Sequence, residues 1–278
     1  MGTFAVLQLT GCAGCEVSLL NALETTDDQR PAYMPLIISS EDIPDVETLL
    51  VTGAVRTEHD LYRLRHAARK AQRIVAVGTC AISGGVANLG DRDDVREMFF
   101  RERSRRHVPP ILPKLQPVDA IVPVTLYLPG CPPTPELFLA AIGVRTDLEP
   151  PKTVCLECGR KRTRDRPAKL RSFQERPPDP NICLINQGYL CVGSATRGGC
   201  GAPCTRAGHP CVGCRGPSDG FITRSSDVWF QAIKRVFARM TDIPEEAIDE
   251  AIRSPQLALF VFQFADYAGT PRDPSKVL

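Results

Sequence analysis

The sequence predicts an α/β protein, in which a doubly wound parallel sheet is followed by a second, mostly irregular and helical domain. In the first half of the 278 residues, short apolar runs alternate with amphipathic stretches. Near residues 145–153 the alternation stops, and residues 155–215 are rich in Cys, Gly, Pro and Arg. Because strands that alternate with helices form parallel sheets, we expect a first domain at 1–148 and a second at 149–278.

The first half contains predicted strands separated by helical stretches. A helix is predicted over residues 16–23, directly after the first strand. The stretch 58–72 places Leu61, Leu64 and Ala68 on one face, which is the spacing of an amphipathic helix. The apolar runs predicted as strands are, in chain order, "TFAVLQLT", "PLIISS", "TLLVTG", "RIVAVGTC" and "AIVPVTLYLPGC". This order predicts a sheet whose two faces are both covered by helices.

The second half begins with a segment that shows little apolar periodicity. Such a segment buries too little apolar surface to fold on hydrophobicity alone, so we expect bound metal to stabilise it. Three helices are predicted after it, in "SSDVWFQAIKRVFARM", "IPEEAIDEAI" and "PQLALFVFQFADY". The first has Ser225 or Ser226 as its N-cap and an apolar side formed by Val228, Ile233, Val236 and Phe237. We expect these helices to pack over the cysteine-rich region.

The composition excludes several classes of protein. Hydrophobic residues make up 43% and charged residues 24%, as in soluble globular proteins. A formal net charge of +2 predicts no nucleic-acid partner, and the basic run "RERSRRHVPP" is interpreted as a solvated helix face. No apolar stretch is long enough to span a membrane, and neither a signal peptide nor a twin-arginine motif is found at the N-terminus. We therefore expect a cytoplasmic protein.

Twelve cysteines are unusual for a cytoplasmic chain, where thiols stay reduced and disulfides are rare. Metal binding explains them better than a disulfide framework does. Twelve thiolates also match three [4Fe–4S] clusters, each of which takes four. The cysteines are Cys12, Cys15, Cys80, Cys131, Cys155, Cys158, Cys183, Cys191, Cys200, Cys204, Cys211 and Cys214.

Three of the cysteines, Cys12, Cys80 and Cys131, each follow a predicted strand. In an open α/β sheet the carboxyl ends of the strands form the crevice in which ligands bind. Cys15 lies in the first turn of the helix after Cys12, so we expect these four thiolates to meet. The alternative is that Cys80 and Cys131 are buried core thiols, since free cysteine is often buried.

Two other kinds of site are considered for the cysteine pairs. Cys155-x-x-Cys158 and Cys211-x-x-Cys214 are spaced like the two halves of a zinc ribbon, but this leaves unused Cys183, Cys191, Cys200 and Cys204. A redox dithiol at Cys12 and Cys15 leaves Cys80 and Cys131 without a role. Iron–sulfur clusters give a role to all twelve cysteines. A zinc-stabilised binding module is the alternative from another functional class.

These motifs resemble those of a known family. The set "GCAGCEVSLL", "VGTCAISGG" and "LPGCPPTPE" resembles the proximal-cluster motif of [NiFe] hydrogenase small subunits and of a related complex I subunit. The block "CLEC…DPNICLINQGYLCVGSATRGGCGAPCTRAGHPCVGCRGP" resembles the second-domain signature of cytoplasmic [NiFe] hydrogenase small subunits. The resemblance covers about residues 3–216 and includes the spacing of all twelve cysteines.

The resemblance implies a flavodoxin-like first domain, an iron–sulfur second domain and three [4Fe–4S] clusters. The ligands it implies are Cys12, Cys15, Cys80 and Cys131 for the proximal cluster, Cys200, Cys204, Cys211 and Cys214 for the medial cluster, and Cys155, Cys158, Cys183 and Cys191 for the distal cluster. In exported relatives a histidine stands at the position of Cys155, and the medial cluster commonly has three cysteines, so that Cys204 is an additional ligand. Both differences point to the cytoplasmic class.

The resemblance also implies the partners and the activity. Hydrogen would be split on a separate [NiFe] large subunit, and this chain would relay electrons through the three clusters to an electron-accepting flavin or iron–sulfur subunit. The F420-non-reducing, heterodisulfide reductase-linked type is preferred; the gamma-type chain of the F420-reducing enzyme is the alternative, and the delta-type chain of sulfhydrogenase is similar. No catalytic residue is assigned to this chain. Glu16 either faces the large subunit or is a carboxylate that the dipole at a helix N-terminus stabilises.

Overall fold

The computed structural model describes residues 2–38, 40, 42–100, 109–148, 152–172, 174–222, 226–253 and 273–278. The chain divides into two compact units. One comprises Met1–Leu148 with Ser275–Leu278, and the other comprises Glu149–Pro274. That each unit folds as a domain of its own stays a prediction.

The first unit is built from strands and helices that alternate along the chain. Its strands are β1 (Phe4–Gln8), β2 (Val46–Thr52), β3 (Val55–Thr57), β4 (Ala71–Val77), β5 (Ile111–Gln116) and β6 (Leu126–Leu128). Its helices are α1 (Gly14–Leu23), α2 (Glu58–Ala68), α3 (Gly78–Ser83), α4 (Asp93–Phe100) and α5 (Pro135–Ala141).

The central sheet is parallel and doubly wound, as the sequence predicts. Strands β1, β2, β4 and β6 lie side by side in that order. On the other side of β1, Tyr33 forms a parallel bridge with Ala5, and its carbonyl accepts a hydrogen bond of 2.7 Å from Val6 N–H. After β1 the chain first passes along one side of this strand, at Tyr33, and then crosses to its other side, where β2, β4 and β6 follow. This reversal beside β1 is the point at which α/β proteins bind ligands.

Helices cover both faces of the sheet. Phe4 and Val6 pack in one apolar core with Leu19 of α1 and Phe138 of α5. Because side chains alternate along a strand, Leu7 points to the other face, where it lines a cavity together with residues of α2. The predicted two-faced arrangement is confirmed.

Two strand predictions differ from the structure. In "PLIISS", residues 35–37 form a turn in which the N–H groups of Ile37 and Ile38 both bond to Met34 O, and Leu36 is 48% exposed. This prediction was wrong because the edge of β1 is already paired at Tyr33, just upstream. The last apolar run forms a strand only over β6, since a short 3₁₀ helix occupies Val118–Ala120 and Pro123 has no N–H to donate.

Helix α2 begins with a capping box centred on Asp60. Its backbone N–H donates to Thr57 Oγ1 at 3.1 Å, and its carboxylate accepts from Thr57 N–H at 3.0 Å. The same carboxylate accepts from Arg56 N–H at 3.1 Å and from the hydroxyl of Thr10 at 3.0 Å. Asp60 is buried and therefore fixes the start of α2 and the loop after β1 at once.

We expect Asp60→Ala to lower the free energy of unfolding by about 2–3 kcal/mol, because several buried donors lose their acceptor. Glu58→Ala, which removes an exposed acid from the same helical turn, should cost at most about 1 kcal/mol. Urea unfolding followed by circular dichroism measures both. Equal losses would mean that Asp60 acts only through the helix dipole.

The second unit contains short helices around the cysteines and two longer helices after them. They are α6 (Val154–Cys158), α7 (Pro203–Arg206), α8 (Asp219–Ile222), α9 (Ser226–Met240) and α10 (Glu245–Arg253). Trp229, Ile233 and Phe237 of α9 pack in one core with residues of the cysteine-rich segment, among them Tyr189 and Cys191. For α9 and α10, the prediction that these helices pack over the cysteine-rich region is confirmed.

This core shows where the cysteine-rich segment finds its apolar partners. The cysteine-rich segment does bury apolar surface, because α9 and α10 supply the apolar partners that it lacks by itself. Trp229 is 1% exposed, and its indole N–H donates to Ala195 O at 2.8 Å. The predicted helix "PQLALFVFQFADY", the candidate cap Ser225 and most of "RERSRRHVPP" lie outside the described residues. Among the helices that are described, none has the length and apolarity to cross a membrane.

Candidate functional site

The first four cysteines of the chain all lie at the carboxyl ends of parallel strands. Cys12 follows β1, and Cys15 lies in the first turn of α1. Cys80 lies in α3, which starts immediately after β4, and Cys131 follows β6 at a cis peptide bond to Pro132. Parallel strands end at the same edge of the sheet, so their loops converge there.

Electrostatic effects on Cys15 show that these four thiols lie near one another. Burial raises the pKa of Cys15 well above its ordinary value, and the negative charge of Glu16 acts in the same direction. The charges of Cys80, Cys131 and Cys12 raise the pKa of Cys15 further. A thiol in this position stays neutral unless a metal or another cation compensates its charge.

Backbone N–H groups face the same set. Burial raises the pKa of Cys80, whereas hydrogen bonds from the N–H groups of Ala87 and Val86 lower it. Both donors belong to a 3₁₀ helix, Gly85–Asp91, that follows α3. Hydrogen bonds of this kind to sulfur are one of the means by which a protein sets the potential of an iron–sulfur cluster.

The backbone approaches Cys15 closely because residue 78 is glycine. Gly78 has φ +79°, and a Cβ atom built on it would lie 2.5 Å from Cys15 Sγ. That separation is far below van der Waals contact, so another residue here displaces the thiol. Glycine is therefore required both by the conformation and by the proximity of the sulfur.

Glu16 is buried inside this chain. It is 2% exposed, and its carboxylate accepts a hydrogen bond from the hydroxyl of Thr52 at the end of β2. The side chain also lies in the first turn of α1. These contacts favour the interpretation as a helix N-terminal carboxylate held within the chain.

A second set of cysteines comes together in the second unit. Burial of the thiol group raises the pKa of Cys155 to about 11 although the residue as a whole is exposed, and the charges of Cys183 and Cys158 also raise it. Burial raises the pKa of Cys191 to about 12, and the charges of Cys155 and Cys183 contribute. These mutual effects group Cys155, Cys158, Cys183 and Cys191.

Two of the remaining four cysteines, Cys200 and Cys214, lie near Arg215. This arginine is 4% exposed; burial lowers its pKa to about 10, and the charges of Cys200 and Cys214 oppose that effect. The pKa of Cys200 is raised by burial and by the charges of Glu157 and Cys204, and that of Cys211 by burial and by the charges of Cys191 and Cys214. A guanidinium with this pKa is cationic at neutral pH, so it offsets negative charge on the thiolates.

Two contacts connect these last two sets. The N–H group of Cys211 donates to Cys191 Sγ at 3.4 Å. Glu157, which lies between Cys155 and Cys158, accepts hydrogen bonds from the N–H groups of Gly199 and Gly201 on either side of Cys200. The loops that carry the two sets are therefore held in a fixed relation.

Each donor set offers four thiolates, the number that a [4Fe–4S] cluster and a structural zinc site can both take. A structural zinc ion draws four ligands to about 2.3 Å of itself when they are sulfurs, whereas a cluster keeps its thiolates apart by its own iron and sulfide atoms. Across the described part of the chain, no three His, Cys, Asp or Glu side chains converge closely enough to hold a single ion. Of the histidines, the ring of His209 bonds to Pro210 O and that of His66 to Asp42, and His107 is not described.

Sequence reasoning missed two residues of the site. Glu157 was overlooked because only the fold shows that its carboxylate reaches the glycines around Cys200. The one sequence signal was an acidic residue inside a C-x-x-C motif together with a glycine-rich run at 198–201. Thr52, the partner of Glu16, had no signal other than its position at the end of a predicted strand.

Comparisons with known proteins agree with this organisation. Residues 12–144 match the family described as "NADH ubiquinone oxidoreductase, 20 Kd subunit". The chain is 37% identical to a vhu-type F420-non-reducing hydrogenase subunit of Methanococcus voltae over 247 residues, which is 80% of this chain and 85% of the relative. It is 30% identical to the delta chain of sulfhydrogenase 2 from Pyrococcus furiosus, with 90% of this chain and 97% of the relative covered.

Among solved structures, a chain of the [NiFeSe]-hydrogenase from Dm. baculatum is similar in fold. The TM-score is 0.50 at 19% sequence identity, with 78% of this chain and 96% of that chain covered. At this identity the likeness supports the fold alone.

Proposed function

The chain belongs to the family of [NiFe] hydrogenase small subunits, and we propose that it relays electrons from hydrogen oxidation at a large subunit to an electron-accepting flavin or iron–sulfur subunit. Membership rests on relatives that are 37% and 30% identical over most of both chains. A small subunit of this family works as part of an oxidoreductase complex whose catalytic centre lies in the large subunit. The relay and its acceptor are our proposal.

The grouping of all twelve cysteines into three sets carries the proposal. Cys12, Cys15, Cys80 and Cys131 would hold the proximal [4Fe–4S] cluster, Cys200, Cys204, Cys211 and Cys214 the medial cluster, and Cys155, Cys158, Cys183 and Cys191 the distal cluster. Effects on thiol pKa within each set support this division, and Cys191 of the distal set additionally raises the pKa of Cys211 in the medial set. Four thiolates are the ligand number that such a cluster takes.

The residues of this chain supply three things to such clusters. When bound, a [4Fe–4S] cluster accepts and releases single electrons at a potential set by charge, hydrogen bonds and exposure. The cysteines provide thiolates, and the N–H groups of Ala87 and Val86 donate toward Cys80. Arg215 places a buried positive charge beside Cys200 and Cys214. The N–H group of Cys211 connects the medial and distal ligands by its bond to Cys191.

The type of hydrogenase is proposed from the relatives. The relative in Methanococcus voltae is named F420-non-reducing, so we prefer that type, linked to heterodisulfide reductase; the gamma-type chain of the F420-reducing enzyme is the alternative. We also propose a cytoplasmic location. No nucleotide-binding glycine fingerprint occurs in the sequence, so we propose no flavin site in this chain.

Hydrogen-dependent electron transfer tests the proposal. The complex that contains this chain is purified without oxygen and given hydrogen and a viologen dye. We expect dye reduction together with bleaching of the visible absorption of this chain. A complex that contains nickel but reduces no dye under hydrogen would show that it does not oxidise hydrogen.

Glu157 is predicted to position the medial ligands. Glu157→Ala removes the acceptor for Gly199 and Gly201 N–H, so we expect the electron paramagnetic resonance signal of the medial cluster to fall several-fold. Glu157→Gln keeps an acceptor oxygen and should therefore retain most of the medial cluster signal. Glu175→Ala, at an exposed acid of the same unit, is the control. A normal medial signal in Glu157→Ala would refute this role.

A further inference from the structure

A strongly basic segment borders the set of cysteines proposed for the distal cluster. Residues 160–171, called here the basic segment, contain seven Lys or Arg and one Asp, although the whole chain carries only +2. Charge of one sign at this density produces a local field that attracts molecules of the opposite charge.

The basic segment is held in place against Cys183. Lys161 N–H donates to Asn181 O at 2.8 Å, and Lys161 O accepts from Cys183 N–H at 2.8 Å. Two residues later, Thr163 N–H donates to Asn186 Oδ1 at 3.2 Å. These hydrogen bonds hold the backbone of this part of the segment beside Cys183.

Some of the basic side chains serve the second unit itself. Arg160 donates to Thr205 O and Ile182 O. Arg166 forms an ion pair with Asp242 and bonds to carbonyls at the end of α9. These two arginines are structural, which leaves the remaining charges of the segment to be explained.

Lys161, Arg162 and Arg164 are exposed and have no such role. Within the portion of the chain that is described, none of the three forms an ion pair or a side-chain hydrogen bond. Exposed charges of one sign that lack an internal partner are available to a molecule outside the chain.

The same surface includes an exposed cysteine and an exposed leucine. Leu156, between Cys155 and Cys158, is 72% exposed, and Cys155 is also exposed. Burial raises the pKa of Cys155 but the charge of Arg162 lowers it, which places this guanidinium close to the sulfur. An apolar side chain with charged neighbours at its edge is the usual composition of a protein interface.

We propose that Leu156, Lys161, Arg162 and Arg164 form the docking surface for an electron acceptor with an acidic surface. This inference rests on the proposed function. One electron leaves the chain beside Cys155 and reduces the acceptor by one electron, and no proton or covalent bond is exchanged at this surface. Opposite charge raises the rate of encounter and orients the acceptor toward the exposed cysteine.

Small acceptors of opposite charge test this surface. The complex of this chain with its large subunit is given hydrogen and either anthraquinone disulfonate, which is anionic, or methyl viologen, which is cationic. In Lys161→Glu/Arg162→Glu/Arg164→Glu we expect kcat/KM for the anionic quinone to fall about tenfold at low ionic strength. The viologen rate should stay equal or rise, and the salt dependence of quinone reduction should disappear.

Matched variants keep the test decisive. Arg65→Glu/Arg69→Glu reverses exposed charges of the first unit and should leave the quinone rate unchanged. Lys161→Gln/Arg162→Gln/Arg164→Gln, with the iron content of wild type, should give an intermediate loss. Equal quinone rates in the reversed variant and wild type, or an equal loss in the control, would overturn the docking surface. Absence of hydrogen-dependent reduction of both acceptors by wild type would instead overturn the proposed function.

Discussion

Cys80→Ser is expected to abolish hydrogen-dependent electron output while two of the three cluster signals remain. Cys80 lies in the set with Cys15, whose pKa its charge raises. Serine oxygen is a poor ligand for iron in such clusters, which are held by thiolates. Without the proximal cluster, electrons from the large subunit have no entry to this chain. Electron paramagnetic resonance of the dithionite-reduced complex counts the remaining signals.

A neighbouring substitution is the control for Cys80→Ser. The hydroxyl of Thr79 donates to Gly130 O at 3.0 Å, and Thr79→Ser keeps that donor. We expect this variant to retain all three signals and the wild-type rate. If Cys80→Ser removes all three signals together, the sets in the second unit depend on the first, and the division into two cluster-bearing units is wrong.

Gly78→Ala is expected to have nearly the same effect as loss of a ligand. The added Cβ would lie 2.5 Å from Cys15 Sγ, and the residue has φ +79°. The sulfur must move, so we expect the proximal signal to disappear and hydrogen-dependent output to stop. About four irons per chain should be lost, since one [4Fe–4S] cluster is missing.

Gly143 provides a matched control for the backbone strain. It also has φ +79°, but a Cβ there meets nothing within 4 Å. Gly143→Ala should therefore cost about 1 kcal/mol of stability and leave iron content and output unchanged. Equal iron loss in the two variants would show that strain, and not contact with Cys15, explains the effect of Gly78→Ala.

Much of the first unit could be predicted because its strands are buried on both faces. The apolar runs that became β1, β2 and β4 are continuous, and their Leu50 and Val75 are fully buried. The run at 35–40 is also largely apolar, but it has no unpaired strand edge to bond to, because Tyr33 already pairs with the edge of β1. Apolar composition alone does not record which edge is available. The antiparallel pair of β3 and β5 was not predicted.

The candidate site was predictable in its cysteines and not in its supporting contacts. The positions of Cys12, Cys80 and Cys131 after predicted strands were enough to predict that they lie at one edge of the sheet. The bonds from Gly199 and Gly201 N–H to Glu157 depend on how two loops more than forty residues apart are arranged. No local pattern determines such an arrangement, so only the folded structure shows it.

Metal and sulfide analysis of the anaerobically purified chain tests the central claim most directly. The three sets of cysteines predict a brown protein that contains about twelve iron and about twelve sulfide ions per chain. Its visible absorption should bleach with dithionite. A colourless protein with stoichiometric zinc would contradict the account, because the cysteines would then form structural zinc sites that carry no electrons.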